Sequence, residues 1–500
     1  MRKSFILPLI MSFALFFSSC KDYLDINYDP TSPTEDLLNQ GQILPVMEMN
    51  LAASYGNYLR IMGGYLSEQY AQRFGTGNYT PISQFEVKTT TTGSLAYEQL
   101  YLRVISTGNT VLKKAEETND YGTFLAATVL RAFAFAAMVD CYDSIPYKES
   151  VSDNIQPKYD DGRTVYDGII SEIDNALSKV KASDIVATNF LYQGQKAENW
   201  IRFANALKLK LYTRISNIDN SVLPKIAELL NSPLPTSNVE LKNCWTSNAG
   251  GENPFYAGEF STTFDVQFNV VMNITVIGSM CQDGYTDPRV EAFFTKNDKD
   301  SYMGGVSGSN FSTFSGIYGA SSFSRPMMNY DTPLSFISLS EIEFYKAEYY
   351  ARMGDAANAQ LYYENAIKQS FASAGVEGAA ENIAFYPYDQ ANWKKSIGVA
   401  KYLALSGVDN FEAWCELRRL RYPAFDEKVA GEDICQESSK VYSPDKYTPC
   451  TLYTPIAVSS YVGKNSLAER FPHPTQSLNS NGNCPANFDG VYKLPVFWAK

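Results

Sequence analysis

Residues 334–371 read "LSFISLSEIEFYKAEYYARMGDAANAQLYYENAIKQSF", and the spacing of small and aromatic residues within them decides the fold. Apolar and aromatic positions recur every three to four residues on both sides of "MGD", the period of two amphipathic helices that meet at a turn. Ala347, Ala359 and Ala366 are small enough for antiparallel helices to approach. Tyr350 and Tyr363 fill the space beside them, and Gly354 opens the turn.

These six residues stand at the offsets of one tetratricopeptide unit. Working outward, helix pairs at 96–141 and 164–217 and a later pair at 391–421 read as degenerate copies. The expected fold class is therefore mainly α, a scaffold of about four tetratricopeptide-like helical pairs, whose stacking leaves a long surface suited to binding. Before them, residues 39–73 carry apolar positions at helical spacing, with Gly63 and Gly64 expected to interrupt the second half. Individual helices are expected at 96–118, 123–141, 164–180 and 197–217.

The texture changes between 231 and 333, where Gly, Ser, Asn and Thr dominate and aromatics are scattered. "FDVQFNVVMNITV" (264–276) has a short strand pattern, and "MGGVSGSNFSTFSGIYGASSFS" (303–324) has no helical period. Long irregular stretches of this kind in a folded protein are functional or disordered. The tyrosines and phenylalanines within this one favour the first, a loop-rich, irregular binding region.

At the other end, Arg2 and Lys3 precede an apolar run from Phe5 to Phe17, followed by Ser18, Ser19 and Cys20. That order of basic head, apolar middle and small-residue exit reads as an export signal, too short for a span of about 20 apolar residues. Ser18-Ser19-Cys20 resembles a bacterial lipoprotein signal, which makes Cys20 the expected lipid attachment point. The expected organisation is signal peptide 1–19, lipidated tether 20–38 and a single domain 39–500. Within that domain the helical scaffold covers 39–230 and 334–425, the loop-rich region 231–333, and an irregular C-terminal segment 426–500.

The formal net charge of -12 argues against nucleic-acid partners and against adhesion to anionic lipid. Four of the eight cysteines fall after residue 414, and in an exported chain Cys435 with Cys450 is the first disulfide pair to test. With no C-x-x-C and one histidine, His473 in "FPHP", the chain offers no compact zinc ligand set. No metal and no cofactor is expected.

Five stretches together resemble one family: "CKDYLDINYDPTSPT" (20–34), "DCYDSIPYKE" (140–149), "NWIRFANALKLKLYTRIS" (199–216), "SLSEIEFYKAEYYARMGD" (338–355) and "FEAWCELRRLRYP" (411–423). By these the chain is identified as a member of the SusD/RagB-like outer-membrane lipoproteins of nutrient uptake. The resemblance implies a tetratricopeptide scaffold carrying a loop-built binding region. It also implies a lipid-anchored, surface-exposed place on the outer membrane, as a lid over a SusC-like TonB-dependent barrel transporter. Such a protein catches an oligomeric nutrient, with a glycan as the expected ligand and a peptide as the alternative, and passes it on without chemistry.

Candidate ligand-binding residues are the aromatics outside the helical signatures. Trp245 lies near Phe255 and Tyr256 in the loop-rich region, and flat rings on loops stack on sugar rings or grip peptide side chains. Phe74 and Tyr79, in "QRFGTGNYTP", occupy a stretch similar to one that helps build the pocket in the family. Trp200, Trp393 and Trp414 sit in helices and are expected to pack. Arg418, Arg419 and Arg421 are expected to bond scaffold carbonyls or carboxylates.

An enzyme is not expected. A triad needs a positioned base, and His473 between two prolines gives no sign of one. Two carboxylates would suffice for a secreted glycoside hydrolase, and no local motif points to such a pair. A tetratricopeptide scaffold that binds only protein partners is the remaining alternative.

Overall fold

The computed structural model describes residues 38–500 except 74, 91, 151, 153, 195, 264–267, 310–317, 319 and 320. Cys20, the export signal and the tether up to residue 37 lie outside the described residues, as does Phe74.

Helix α1 (Gln40–Ala53) runs through a π-helical turn at Ser54–Leu59 into α2 (Arg60–Leu66) and then strand β1 (Tyr70–Gln72). Gly63 and Gly64 do not interrupt the helix, contrary to expectation. A Cβ on Gly63 would stand 2.4 Å from the Phe411 Cα, and one on Gly64 2.2 Å from the Tyr70 ring. The pair serves close packing, and tertiary contact overrides the weak helix propensity of glycine.

The helix expected at 96–118 is divided by a second π turn at Leu100–Ile105, and its last part is α3 (Ser106–Glu117). Asp120 caps α4 (Tyr121–Tyr142) by accepting the Thr123 N–H at 3.1 Å. Helix α4 is apolar all round, which marks a central helix. Among the described residues it alone is long and apolar enough to cross a membrane, and 89% of that apolar window is buried inside the protein. Around it stand α5 (Gly162–Lys179) and α6 (Glu198–Ile215), followed by α7 (Leu223–Leu230), which has no counterpart in the sequence reading.

The middle region holds strand β2 (Val239–Leu241), helix α8 (Pro254–Glu259), strand β3 (Val270–Met272) and helix α9 (Ile274–Met280). The strand pattern of 264–276 is thus cut to three described residues. Asn273 ends it, because its side-chain oxygen accepts the Thr275 N–H at 3.1 Å and starts α9.

Strand β4 (Leu334–Ile337) then leads into the opening stretch, which folds as read: α10 (Leu339–Arg352) and α11 (Ala356–Ala374) are an antiparallel pair. Ser338 and Glu341 close a reciprocal capping box, and Gly354 turns the chain at a φ of 75°. Ala347, Tyr363 and Ala366 are buried in one cluster and Ala359 is buried as well, whereas Tyr350 stays half-exposed and stacks on Tyr362 at 5.3 Å. Helices α12 (Ala379–Phe385), α13 (Trp393–Leu405) and α14 (Asn410–Leu420) complete the scaffold.

In the C-terminal segment β5 (Ala424–Ala430) and β6 (Thr451–Thr454) pair in parallel. All seven described cysteines are free thiols, so Cys435 and Cys450 are not joined. Cys435 is buried in an apolar cluster with Tyr447 and Tyr453, while the Cys450 Sγ lies 3.6 Å from the Tyr386 hydroxyl. Residues Gln40–Lys500 form one compact unit.

A buried ionic network ties the two helical halves together. Glu412 of α14 accepts from Arg214 at 2.5 Å and pairs with Lys210 at 2.6 Å, both on α6. Arg419 bonds Glu348 of α10 at 2.5 and 2.6 Å and also Glu416, with its side chain wholly buried. Arg418 donates to the carbonyls of Asp140 and Glu469, and Arg421 to that of Ala499. The arginine cluster therefore serves the scaffold, and Trp200 and Trp414 are fully buried. Trp393 is half-exposed, with Arg352 over its ring at 5.1 Å.

Candidate functional site

Strand pairing builds the site. β1 and β3 are antiparallel, with Tyr70 opposite Met272 and Gln72 opposite Val270. One step further, the Arg73 N–H donates to the Asn269 carbonyl at 2.7 Å, and on the other edge the Met272 N–H donates to that of Ser324 at 2.8 Å. Three segments far apart in sequence, around Gln72, Asn269 and Ser324, are thereby held side by side.

Where they meet, the Phe268 ring has a guanidinium beside it from each flank, Arg73 at 4.9 Å and Arg325 at 5.1 Å from its centroid. Cation–π attraction of this kind contributes about 0.5–2 kcal/mol per contact. Among the described residues neither arginine has a carboxylate partner. The Arg73 Nε is buried with no hydrogen-bond partner among them, and burial lowers the basicity of that guanidinium. Arg325 is exposed. Guanidinium donors are left over for a ligand beside an aromatic ring.

Behind Phe268 runs a line of rings into the scaffold. Phe260 stacks on it at 6.3 Å, Phe255 meets Phe260 edge-on at 5.5 Å, and Tyr70 lies parallel to Phe255 at 5.9 Å. The Tyr70 hydroxyl ends the line by donating to Asn410 of α14 at 2.6 Å.

Beside it, the Tyr79 hydroxyl donates to Glu259 at 2.6 Å, and the other oxygen of that carboxylate accepts the Asn269 N–H at 2.8 Å. Burial raises the Glu259 carboxyl above its ordinary value, and these two donors offset only part of the rise. Burial first, and then the Glu259 charge, hold the Tyr79 phenol protonated far above neutrality. The Gln72 side chain ties down Thr76 and Tyr79, accepting the Tyr79 N–H at 2.9 Å and donating to the Thr76 carbonyl. Asn78 donates to the Asn269 side chain at 3.1 Å. Bonds that hold Thr76, Asn78 and Tyr79 in place lower the entropic cost of binding there.

Of the residues singled out from sequence, Tyr79 is half-buried at this site and Phe255 is brought to it, but as a fully buried ring beneath the surface. Phe255 thus supports the face and does not touch solvent. Trp245 and Tyr256 are half-exposed, and among the described residues no ring contact joins them to Tyr79. The Trp245 indole N–H is buried without a described partner, and the following residue, Thr246, closes a turn by donating its N–H to the Gly251 carbonyl at 2.7 Å. Arg73, Glu259, Phe268, Asn269 and Arg325 were not legible as a group, since Arg73 and Arg325 lie 252 positions apart. The one available signal was "QRFGTGNYTP", where Arg73 adjoins a flagged aromatic.

The lone histidine lies elsewhere. His473 is stacked on Tyr142 at 5.6 Å and faces Tyr159 edge-on, and burial together with Arg470 lowers its pKa to about 4. It is neutral at pH 7.

A family model described as starch-binding and associating with the outer membrane, SusD-like, matches residues 34–441. The chain belongs to the SusD-like family. A SusD homolog from Bacteroides uniformis superposes with a TM-score of 0.70 at 22% identity, covering 92% of this chain and 99% of that one. A SusD homolog from Bacteroides fragilis gives 0.69 at 20% identity, over 93% and 99%. A chitin-binding SusD homolog from Flavobacterium johnsoniae gives 0.67 at 18% identity, over 91% and 98%. At these identities the likeness shows the SusD-like fold. No curated protein matches the chain.

Proposed function

We propose that this SusD-like protein is a cell-surface lipoprotein of the outer membrane, attached through Cys20. On the Arg73–Phe268–Arg325 face it binds an oligomeric glycan and delivers it, chemically unchanged, to a TonB-dependent barrel transporter. The observation that carries the reading is the ring of Phe268 flanked by two guanidinium groups with no carboxylate partner among the described residues. The guanidinium donors around this half-buried ring suit the hydroxyls of a sugar, while the ring adds apolar contact for its C–H groups. The family description as starch-binding and the chitin-binding relative support a glycan.

A peptide is the second reading, because two unpaired arginines also suit a carboxylate. Incubating the chain from residue 21 onward with glycan and peptide panels separates the readings. Binding of a glycan with unchanged mass supports the proposal, binding of peptides alone replaces the ligand, and cleavage sinks it. A Cys20→Ser protein that still partitions with outer membranes would remove the lipid anchor.

A further inference from the structure

A second hollow, of about 610 Å³, opens between α11, α12, α13 and the segment around Cys450. Its size lies within the range of about 300–1,000 Å³ usual for small-ligand pockets. None of its lining residues belongs to the Arg73–Phe268 face. Its floor touches the C-terminal end of α9, where the Tyr386 hydroxyl donates to the Ser279 carbonyl at 2.8 Å. The N-cap of α9, Asn273, reaches the Tyr70 carbonyl of β1 at 3.4 Å. Seven residues of helix, about 10 Å at 1.5 Å per residue, therefore separate the hollow from the strands that carry the first face.

Phe385 forms an aromatic wall at this hollow. It is 38% exposed, although it stacks on Tyr285 at 4.3 Å and meets Tyr386 edge-on at 4.9 Å. Tyr386 is fixed in turn, since its hydroxyl accepts from Gln282 at 2.6 Å and its carbonyl accepts from Tyr363 at 2.7 Å. A large ring held rigid while presenting surface to solvent binds at little entropic cost.

The rim supplies polar groups of both kinds. Asp389 accepts from the Asn392 side chain at 2.7 Å and from the Ala391 N–H at 2.9 Å, and its own N–H donates to Ser396 at 3.0 Å. Those bonds fix the carboxylate in place while part of its lone-pair capacity faces solvent. Lys395 is exposed and, among the described residues, has no carboxylate partner. One flat apolar wall with a carboxylate acceptor and an ammonium donor at its edge matches a ring with a C–H face and a hydroxyl edge.

We propose that the Phe385–Asp389–Lys395 hollow is a second carbohydrate site, taking a pyranose ring against Phe385 with its hydroxyls on Asp389 and Lys395. It goes beyond the function proposed above and rests on it only in the choice of probe.

The test uses the chain from residue 21, which keeps the whole Gln40–Lys500 unit, with maltooligosaccharides and chitooligosaccharides as probes. Binding stoichiometry and affinity are read by native mass spectrometry and titration calorimetry. Wild type takes up two ligands per chain. Phe385→Ala and Lys395→Ala each weaken one of the two by at least tenfold and leave the other unchanged, and Phe268→Ala does the reverse. The rim variant Lys395→Ala guards against a folding defect from loss of the Phe385 ring. One ligand per chain, lost in Phe268→Ala and retained in both hollow variants, overturns the second site alone. One ligand lost only in the hollow variants overturns the Arg73–Phe268 face instead. Two ligands indifferent to Phe385 and Lys395 also overturn the second site, and no binding of either probe series overturns both.

Discussion

Two sets of arginines in this molecule meet opposite fates. In the scaffold, Arg214 and Arg419 are buried to within 2% and each is held by two carboxylates within hydrogen-bond distance. On the loop-built face, Arg73 and Arg325 flank a phenylalanine ring and among the described residues have no carboxylate at all. A buried charge left unpaired is costly, so the first set is fully satisfied within the fold. The second set lies closer to solvent, where water or a ligand completes its donors. The contrast separates charge used for holding helices together from charge available for binding.

The carboxylates divide the same way. Burial raises Glu348 and Glu416, yet the cations around them, Arg419 beside both with Arg352 at Glu348 and Lys401 at Glu416, together bring their carboxyls below the ordinary value. Glu259, with a phenol and amide N–H groups for partners, stays above it.

The strongest way to break the scaffold side is Arg419→Ala, which leaves Glu348 and Glu416 buried and without their shared cation. Removal of one member of a buried ion pair costs about 3–5 kcal/mol. Urea denaturation should show a loss of that order, and a loss below about 1 kcal/mol would mean the network is not structural.

Phe268→Ala attacks the other side. Truncating a central aromatic anchor weakens binding by about 2 kcal/mol, roughly thirtyfold. Calorimetric titration with the bound glycan should show that change, with an unfolding midpoint that moves far less than in Arg419→Ala.

The acids sharpen the comparison through pH. Glu348 and Glu416 have folded values below their unfolded ones, so their stabilisation is present above the ordinary value of 4.5 and fades as pH falls below it. Glu259 has the opposite sign, and its contribution is lost as pH rises above 4.5. Stability measured from pH 4 to 8 in Glu259→Gln should fall less steeply with rising pH than in wild type. The difference should stay within about 1.4 kcal/mol per pH unit, the limit for one proton.

The smallest effect is expected of Tyr79→Phe, which removes the hydroxyl donor to Glu259 and nothing else. A hydrogen bond to a carboxylate contributes about 1.5 kcal/mol. Thermal unfolding and ligand affinity should both shift slightly, and an unchanged protein would show that Asn269 alone suffices to hold Glu259.

Local pattern made much of the scaffold legible. The alanine and tyrosine offsets of 347–366 led directly to α10 and α11, and in the structure a Ser338–Glu341 capping box starts that pair. Short signals failed where distant contacts prevailed. Gly63 and Gly64 read as a break because glycine disfavours helix, but the nearness of Phe411 and Tyr70 makes glycine the residue that fits. The strand pattern after Phe264 broke off at Asn273, whose capping bond is a side-chain choice that periodicity does not register.

The site was legible only in part for the same reason. Tyr79 and the aromatic character of the loops were visible in sequence, while Phe255 was picked for its type and proved to be buried support. By itself, the sequence determined the helical repeat and the family, because both are written in spacings of a few residues or in contiguous stretches. Only the tertiary structure decided which arginines face an acid and which face a ring. That depends on β1, β3 and the Ser324 segment lying edge to edge, a pairing between positions some 200 residues apart that no local period encodes.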